Sequence, residues 1–515
     1  AGLLMNMEKH VLLGIDVGTS SCQVAAFSLA GKPLASATEP YGIIRKTPYE
    51  AEQDAETWWQ GVSECIRRIL ESRVFAAEAV AAIGVVGHSW ATLPVDEMGN
   101  PLRPAMLWQD RRSVEECLYL REMVGEDFVL ELSGNRIDPA YCVPKMLWIK
   151  AHEPHIYAQT HMFLQSNSFI VHKLTGAFTQ DVSQGYGYYV FDTERRGWSL
   201  EACQAMGVDW ELLPDVYESS VVVGEVTPQA AAITGLAAGT PVVAGGVDCA
   251  AACLGAGLIE HGSTQEQAGQ AGGMTIVTSD PLRDARLISG CHVVEEHWHL
   301  SGGTVSGGVL NWFLQSVLGT GDGSLSPNRG NPFEWLSQEA AQSVPGAGGL
   351  LFLPYMAGER TPIWDPRARG VLLGLSYDKT QGDLVRALME GAAFALRHNL
   401  AVGGQAGIRP ESLISVGGGA RSKIWCQIKA DITKTPVGIP NVDDGTVFGA
   451  AFLGGMGVGA FADWQTTLEG IVEIKRWYEP QPVNGSLYDE LYHIYLETYV
   501  ALKDQLHGLA DLGSK

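Results

Sequence analysis

Short apolar runs flanked by glycine, proline or polar residues recur along the whole chain, and they constrain the fold more than any other feature. The runs cover residues 11–15, 23–29, 81–86, 241–244, 274–278, 350–353 and 413–416. Such runs are typical of strands. Helical apolar patterns occur between them, at 55–71, 380–400 and 486–506. The sequence therefore predicts a mixed α/β protein.

Two segments have the pattern of a strand, a turn and a second strand. In the first, the run at 23–29 passes through Ala30-Gly31-Lys32-Pro33 into another extended stretch, which is typical of a hairpin. In the second, a glycine cluster between residues 269 and 273 precedes a later strand-like run. We therefore predict two similar halves, an N-terminal domain at 1–257 and a C-terminal domain at 258–515.

Charge and cysteine content exclude several classes of protein. Lys and Arg number 35 and Asp and Glu 58, so the formal net charge is −23 and most of the surface repels a nucleic-acid backbone. The nine cysteines lack a Cys-x-x-Cys pair, which indicates thiols in a reducing compartment. The sequence has no run of the ~18 uninterrupted apolar residues that a membrane helix needs. We expect a cytoplasmic protein with no nucleic-acid and no membrane partner.

The first strand-like run ends in a turn rich in hydroxyl groups, within Gly-Ile-Asp-Val-Gly-Thr-Ser-Ser at 14–21. Gly18 allows backbone N–H groups to close around an oxyanion, Thr19 and Ser20 add donors, and Asp16 is suited to Mg²⁺. The pattern is neither a Walker loop nor a dinucleotide-binding GxGxxG, since a strand rather than a helix follows. On the residues alone, a tight hairpin in which Asp and Ser bond to turn N–H groups explains the pattern equally well.

A second candidate site is Asp248, which follows the apolar run at 241–247 and begins an alanine-rich helical pattern. Asp is a common N-cap residue, so capping of that helix explains the position in structural terms. The functional interpretation is a carboxylate that points into a cleft and takes a proton from a substrate hydroxyl.

A third candidate site is the glycine-rich loop at 417–419. The strand-like run at 413–416 leads into Gly417, Gly418 and Gly419, and a helical pattern follows. Three consecutive glycines permit the close approach of a flat base or a ribose to the backbone. A flexible loop is the alternative, which the tight placement between two regular elements disfavours.

Taken together and in this order, the motifs resemble the FGGY family of carbohydrate kinases, members of the actin-like ATPase superfamily, and most of all its xylulokinase branch. The resemblance extends over nearly the whole chain. The segments that carry it are 14–21, 107–112, 174–176, 242–248, 298–300, 352–366 and 417–422. Two of these motifs are specific to the family: Gly-Glu-Arg-Thr-Pro at 358–362 and Gly-Gly-Gly-Ala-Arg-Ser at 417–422.

The resemblance implies two actin-like (ribonuclease H-like) ATPase domains with an interdomain cleft, and ATP and Mg²⁺ as cofactors. It implies that Asp248 is the general base, that Asp16 helps to hold Mg²⁺, and that Asp110 belongs to the sugar site. Because members of the family commonly form homodimers, the resemblance also implies a homodimer. The residues implied in nucleotide binding are Gly18, Thr19, Ser20, Gly269, Gln270, Gly307, Gly417, Gly418, Gly419 and Ser422.

Two stretches depart from the family pattern. Xylulokinases have Gln-Met-His-Gly where this chain has His88-Ser89-Trp90-Ala91, so Ser89 and Trp90 are predicted to contact the sugar. We expect the Trp90 indole at a cleft edge, and a Trp buried in the core is the alternative. In the mid-chain phosphate loop, relatives have Gly-Thr-Ser where this chain has Gly269-Gln270-Ala271. Gln270 can donate through its amide, but a pair of hydroxyls is lost.

The function implied by the resemblance is ATP-dependent phosphorylation of a small sugar, D-xylulose first of all. The nearest alternative is a kinase for another ketose, polyol or sugar acid, with the same mechanism and a different pocket. An alternative of another class is a catalytically weak sugar- or nucleotide-binding regulator. The presence of both Asp16 and Asp248 argues against a regulator, because a pure binder does not need both carboxylates.

Overall fold

A computed structural model describes residues 9–319 and 331–513. The strands of the first half are β1 (Val11–Val17), β2 (Ser21–Ser28), β3 (Pro33–Pro40), β4 (Glu52–Gln53), β5 (Val80–Gly87), β6 (Leu93–Val95), β7 (Ala105–Met106), β8 (Met162–Leu164), β9 (Thr179–Asp181), β10 (Phe191–Asp192), β11 (Gly197–Trp198), β12 (Asp215–Tyr217), β13 (Val222–Glu225), β14 (Pro241–Val243) and β15 (Gly246–Val247). Its helices are α1 (Ala55–Glu71), α2 (Val114–Met123), α3 (Glu126–Ser133), α4 (Cys142–His152), α5 (Pro154–Gln159), α6 (Ser166–Thr175), α7 (Val182–Gly185), α8 (Leu200–Met206), α9 (Pro228–Thr234) and α10 (Asp248–Gly255).

The second half has fewer and longer elements. Its strands are β16 (Thr264–Ala268), β17 (Ala271–Thr278), β18 (Ile288–Cys291), β19 (Trp298–Val305), β20 (Leu351–Leu353), β21 (Val371–Leu373), β22 (Leu413–Val416), β23 (Val437–Pro440) and β24 (Ile474–Tyr478). Its helices are α11 (Gly307–Trp312), α12 (Pro332–Gln342), α13 (Gln381–Gln405), α14 (Lys423–Thr433), α15 (Gly445–Gly457), α16 (Trp464–Ile471) and α17 (Gly485–Gly513).

The main sheets of the two halves share one topology. The first has the order β13-β14-β5-β1-β2-β3, with β15 also paired to β5, and the second has the order β18-β19-β17-β16-β22-β23-β24. In each, an antiparallel hairpin (β1–β2 or β16–β17) lies beside a strand parallel to its first member, β5 or β22. The predicted α/β class and the two similar halves are confirmed. The two predicted hairpins are also confirmed, as β2–β3 through Ala30 to Pro33 and as β16–β17.

Helix bounds follow from local sequence where the capping signals are clear. The helix predicted at 55–71 has those bounds. It begins at Ala55 because the Asp54 side chain accepts a hydrogen bond from the N–H of Glu56 and caps the helix. The helix predicted at 380–400 begins after a capping box formed by Thr380 and Asp383, and it continues to Gln405. None of the helices in the described ranges is long and apolar enough to cross a membrane.

Helix α15 packs with its backbone against the first sheet and against α10, and glycines make this approach possible. A Cβ on Gly84 of β5 would lie 1.8 Å from the carbonyl oxygen of Ala450, and one on Gly14 of β1 would lie 2.0 Å from that of Val447. A Cβ on Gly449 would lie 2.0 Å from the carbonyl oxygen of Ala251 in α10. No side chain fits at these positions without moving a backbone.

This helix comes from the second half of the sequence, yet it lies in the core of the first. Val447, Phe448 and Phe452 of α15 share one buried cluster with Leu12 of β1 and Phe27 of β2. The chain after residue 258 therefore contributes to both halves of the molecule. The boundary between the domains at 257 and 258 stays a prediction.

Replacement of Gly449 by alanine tests the glycine contact. Because the new Cβ meets backbone of α10, we expect Gly449→Ala to lower the free energy of unfolding by about 2 kcal/mol or more and the apparent Tm by about 4–8 °C. The matched control is Gly508→Ala in exposed α17, where a Cβ would meet nothing within 4 Å. That control should keep or slightly raise the Tm, since Ala favours a helix. Equal Tm values for the two variants in a thermal melt would contradict this account.

Candidate active site

The predicted catalytic residues meet at the carboxyl edge of the first sheet. Strand β5 lies between β1 and β15 and is parallel to both, and Val17 and Val247 are both paired with Gly87. The residues that follow these strands therefore emerge side by side. The structure thus brings Asp248 next to the β1–β2 turn and the Ser89 loop.

Asp248 is a partly buried carboxylate at the start of α10. Its Oδ1 accepts a hydrogen bond of 2.7 Å from the N–H of Cys249, while the N-cap of the helix is Val247. Burial raises the pKa of Asp248 to about 6, and the Cys249 hydrogen bond opposes that rise. The carboxylate is therefore ionised at neutral pH and has the basicity of a general base.

Asp16 lies near two further carboxylates. Burial raises the pKa of Asp16 well above its ordinary value, and the negative charges of Asp248 and Asp444 add to the rise. Asp444 immediately precedes α15, so it reaches the site from the second half of the chain. Asp444 was not predicted from the sequence, because its position depends on the packing of α15 rather than on a local pattern.

The residues around Asp16 fit a Mg²⁺ ion that is completed by phosphate and water. Mg²⁺ is commonly bound through one or two carboxylates together with substrate phosphates. The Oδ1 atom of Asp16 is buried and has no hydrogen-bond partner in the described chain. Within the described ranges, no group of three or more His, Cys, Asp or Glu side chains is placed to hold a metal by itself.

The turn at Gly18, Thr19 and Ser20 is held from outside by side chains. The Tyr41 hydroxyl donates to the carbonyl of Gly18 at 2.5 Å, and the Gln53 amide donates to the carbonyl of Thr19 at 2.7 Å. The Trp108 indole Nε1–H donates to Thr19 Oγ1 at 3.2 Å. These bonds use carbonyl and hydroxyl acceptors, so they do not occupy the backbone N–H groups of the turn, of which that of Gly18 donates to the carbonyl of Ser21 at 3.0 Å.

Trp90 has a strained backbone that two buried side chains hold. Its φ is +63°, which is rare for a bulky residue. The N–H of Trp90 donates to Gln165 Oε1 at 2.8 Å, and its carbonyl accepts from Lys145 Nζ at 2.8 Å. Burial lowers the pKa of that lysine to about 8.

The Trp90 indole does not stand at an exposed cleft edge, and that expectation is wrong. The side chain is 3% exposed and stacks on Tyr141 with ring centroids 4.2 Å apart. Aromatic stacking draws the ring into the core of the first half, away from solvent. Contact of Ser89 and Trp90 with the sugar stays a prediction.

Tyr186 is a residue of this region that the sequence did not indicate. Its hydroxyl lies 3.3 Å from Ser89 Oγ, and its ring packs edge-on against Trp90 and against His299 of β19. Burial raises the pKa of Tyr186, and the charge of Asp248 contributes. No short motif surrounds Tyr186, so only the folded chain reveals its position.

A chain of contacts runs from Trp90 to the second sheet. Tyr141, on which Trp90 stacks, donates through its hydroxyl to Asn135 Oδ1 at 3.1 Å. Asn135 also accepts from the N–H of Ser289 at 3.1 Å and donates to the carbonyl of Ser289 at 2.7 Å. Because Ser289 belongs to β18, the aromatic residues near the predicted sugar site are connected to the second half of the molecule.

Asp110 is buried, and both of its carboxylate oxygens are occupied. Oδ2 accepts from the N–H of Ala51 at 2.8 Å, and both oxygens accept from the Arg112 guanidinium. Direct contact with sugar would require Asp110 to give up some of these bonds. Its place in the sugar site stays a prediction.

Arg360 reaches the first half from a loop of the second. The centre of its guanidinium lies 4.7 Å from the Trp108 ring centroid and 5.9 Å from that of Trp90. Arg360 lies in the Gly-Glu-Arg-Thr-Pro motif at 358–362, and no role was predicted for it from the sequence.

The structure brings most of the predicted nucleotide residues of the second half together. The N–H of Gly307 donates to the carbonyl of Gly269 at 2.8 Å, and the N–H of Gly308 donates to that of Gln270 at 2.8 Å. Gly417 has φ +95°, and a Cβ there would lie 3.1 Å from the backbone carbon of Ala268. The two glycine-bearing turns therefore pack against each other at the carboxyl ends of β16 and β22.

Gly418 and Gly419 begin the short turn that leads to Ser422. A Cβ on Gly418 would meet nothing within 4 Å, so this face of the loop is open. Ser422 is the N-cap of α14, and its hydroxyl lies 2.8 Å from Ser337 Oγ of α12. Nucleotide binding by these residues stays a prediction.

Comparisons with known proteins agree with this architecture. A family model described as the N-terminal domain of the FGGY family of carbohydrate kinases matches residues 11–255, and the model of the C-terminal domain matches 268–458. The chain is 31% identical to the xylulose kinase of Bacillus subtilis over 500 residues, which covers 96% of this chain and 98% of that protein. It is 33% identical to the xylulose kinase of Escherichia coli over 445 residues, which covers 86% of this chain and 89% of that protein.

A solved structure shows the same fold. The crystal structure of xylulose kinase from Rhodospirillum rubrum matches with a TM-score of 0.87 and 28% identity, covering 96% of this chain and 100% of that one. The predicted two-domain fold is therefore confirmed. With both family domains matched in order along most of its length, the chain belongs to the FGGY family of carbohydrate kinases.

Proposed function

We propose that the protein transfers a phosphoryl group from ATP to a hydroxyl group of D-xylulose. The observation that carries the proposal is the position of Asp248, a carboxylate with a pKa raised to about 6, beside Asp16 and the turn that follows β1. A base next to a phosphate-binding turn is the arrangement that phosphoryl transfer to an alcohol requires. The names of relatives at 31–33% identity support xylulose as the sugar.

Each group at the carboxyl edge has one task in this proposal. Asp248 accepts the proton of the attacking hydroxyl. The turn at Gly18, Thr19 and Ser20 binds phosphoryl oxygens through the backbone N–H groups of Thr19 and Ser20, because the N–H of Gly18 donates to the carbonyl of Ser21 at 3.0 Å. Asp16 would hold Mg²⁺, which neutralises charge on the phosphates when it is bound. The glycine turns at 269–270 and 417–419, with Gly307 and Ser422, would hold the rest of the nucleotide. Phosphoryl transfer needs little more than this positioning and charge stabilisation.

A kinase for a different ketose, polyol or sugar acid is the second candidate. It is favoured by Trp90, which stands where the xylulokinase pattern has His and which packs against the rings of Tyr141 and Tyr186. An ADP-release assay with ketoses, polyols and sugar acids decides between the two candidates. We further propose action in the cytoplasm and assembly as a homodimer.

The role of Asp248 is tested by Asp248→Asn. A carboxamide cannot accept the hydroxyl proton, so kcat should fall by ~10²–10⁴-fold while sugar and ATP still bind, as measured by calorimetry. The matched control is Asp463→Asn at the exposed start of α16, where Asn caps a helix as well as Asp does. Its kcat should equal that of the wild type. A near-normal kcat for Asp248→Asn would exclude the assigned role.

The pH dependence follows from the raised pKa of the same group. The base must be ionised, and below its pKa of about 6 Asp248 is increasingly protonated. At saturating ATP and Mg²⁺, kcat/KM for the sugar should therefore fall about tenfold per pH unit below pH 6 and level off above pH 7. The residual activity of Asp248→Asn should lack this midpoint. A wild-type midpoint near pH 4, the ordinary value for Asp, would contradict the assignment.

Trp90→His tests whether position 90 affects sugar choice. Loss of a buried indole should destabilise the fold by about 3 kcal/mol, although His tolerates the left-handed backbone. If Trp90 bounds the sugar pocket, the ratio of kcat/KM between two sugars should also change. The matched control is Trp59→His in α1, which is 7% exposed and should lower the Tm without altering that ratio. An unchanged ratio in Trp90→His would make Trp90 purely structural.

A further inference from the structure

The guanidinium of Arg360 is a cationic group to which the proposed mechanism gives no task. Arg360 lies in a short hairpin in which Glu359 and Asp365 exchange backbone hydrogen bonds of 2.8 and 2.9 Å. Asp365 is tied to α17, because its Oδ2 accepts from the Tyr499 hydroxyl and lies 2.7 Å from His507 Nε2. The backbone that carries Arg360 is therefore anchored.

The Arg360 guanidinium contacts two indole rings, and its N–H donors have no partner within the described ranges. The guanidinium lies over the rings of Trp108 and Trp90, at 4.7 and 5.9 Å from their centroids. Within the described ranges the guanidinium forms no ion pair and no hydrogen bond, while the backbone N–H of Arg360 donates to Glu359 Oε1 at 3.0 Å. A guanidinium has five N–H donors, and contact with aromatic rings does not pair them, so these donors are available for an anion.

The location of this cation is next to the predicted phosphate turn. The Trp108 ring beneath Arg360 is the same ring whose Nε1–H donates to Thr19 Oγ1 at 3.2 Å. One indole thus separates the guanidinium from the turn. Arg360 belongs to the second half of the chain, whereas Trp108 and Thr19 belong to the first, so this contact joins the two halves.

The negative charge at the site favours a cation that binds the transferred phosphoryl group. The carboxylates of Asp248 and Asp444 are close enough to Asp16 to raise its pKa. These negative charges repel the phosphoryl oxygens of ATP and of a sugar phosphate. A guanidinium can bind two oxygens of such a group at once, which a neutral sugar hydroxyl cannot match.

We propose that Arg360 binds the anionic oxygens of the phosphoryl group as it passes from ATP to the sugar, and remains bound to them in the sugar phosphate. This inference rests on the proposed function and extends it to a residue of the opposite half. It also distinguishes Arg360 from residues that bind the neutral sugar, because only ligands with a phosphoryl group should depend on it.

The test compares Arg360→Met, Arg360→Lys and Arg367→Met. Met retains packing on the indoles without charge or donors, and Lys retains charge without the planar fork. Arg367 lies in the same loop, is half exposed and pairs loosely with Asp511 at 3.4 Å, so it is the matched control. For each variant we measure the Tm, kcat with D-xylulose, and the Kd of D-xylulose and of D-xylulose 5-phosphate by calorimetry.

Arg360→Met should raise the Kd of D-xylulose 5-phosphate at least tenfold and lower kcat by ~10²-fold, with less than a twofold change in the Kd of D-xylulose. Arg360→Lys should be intermediate, and Arg367→Met should match the wild type. Equal weakening of both ligands, or no change in either, would overturn the inference. The inference would also be overturned if Arg360→Met weakened the binding of D-gluconate but left the Kd of D-xylulose 5-phosphate unchanged. The anion bound by Arg360 would then be a substrate carboxylate.

Turnover by the wild type separates this inference from the proposed function. A wild type that releases no ADP with any sugar tested contradicts the proposed function and this inference with it. An active wild type whose Arg360→Met variant is equally active contradicts the role of Arg360 alone.

Discussion

The direct contact between the backbone of α15 and the first sheet is the constraint on which the rest of the site depends. Gly14, Gly84 and Gly449 allow helix and strand backbones to approach to distances that no side chain permits. The elements packed in this way are the ones that meet at the site: β1 and β5 end there, and α10 begins there. Their fixed spacing sets how close Asp16, Asp248 and Asp444 come to one another.

The same packing explains the chemistry of the carboxylates. Removal of water from around Asp248 raises its pKa, and a carboxyl group with a pKa of about 6 is a stronger base than one in bulk water, yet still ionised at neutral pH. The second half of the chain contributes glycine turns with little steric bulk and the Arg360 guanidinium over Trp108. Thus the carboxylates of Asp16, Asp248 and Asp444 gather at the edge of the first sheet, and the second half of the chain also contributes glycine turns and a positive charge.

Much of the fold could be predicted because its signals are local. The hairpin through Ala30 to Pro33, helix α1 with its Asp54 cap, and the strand that precedes Asp248 all follow from neighbouring residues. Trp90, Tyr186 and Asp444 could not be placed in this way. The burial of Trp90 depends on Tyr141, the position of Tyr186 depends on Ser89, and that of Asp444 depends on the glycines beneath α15. Such contacts join residues distant in sequence, and no pattern within either segment encodes them.

The contacts from Trp90 through Tyr141 and Asn135 to Ser289 have a consequence for how this enzyme can diverge. Each member is buried and touches the next, so its size and polarity are matched to its neighbour. A new side chain at position 90 alters not only the surroundings of Ser89 but also the contacts that lead through Tyr141 and Asn135 to β18. Acquisition of a different substrate would therefore proceed by paired replacements, in which a second residue restores the fit that the first has lost.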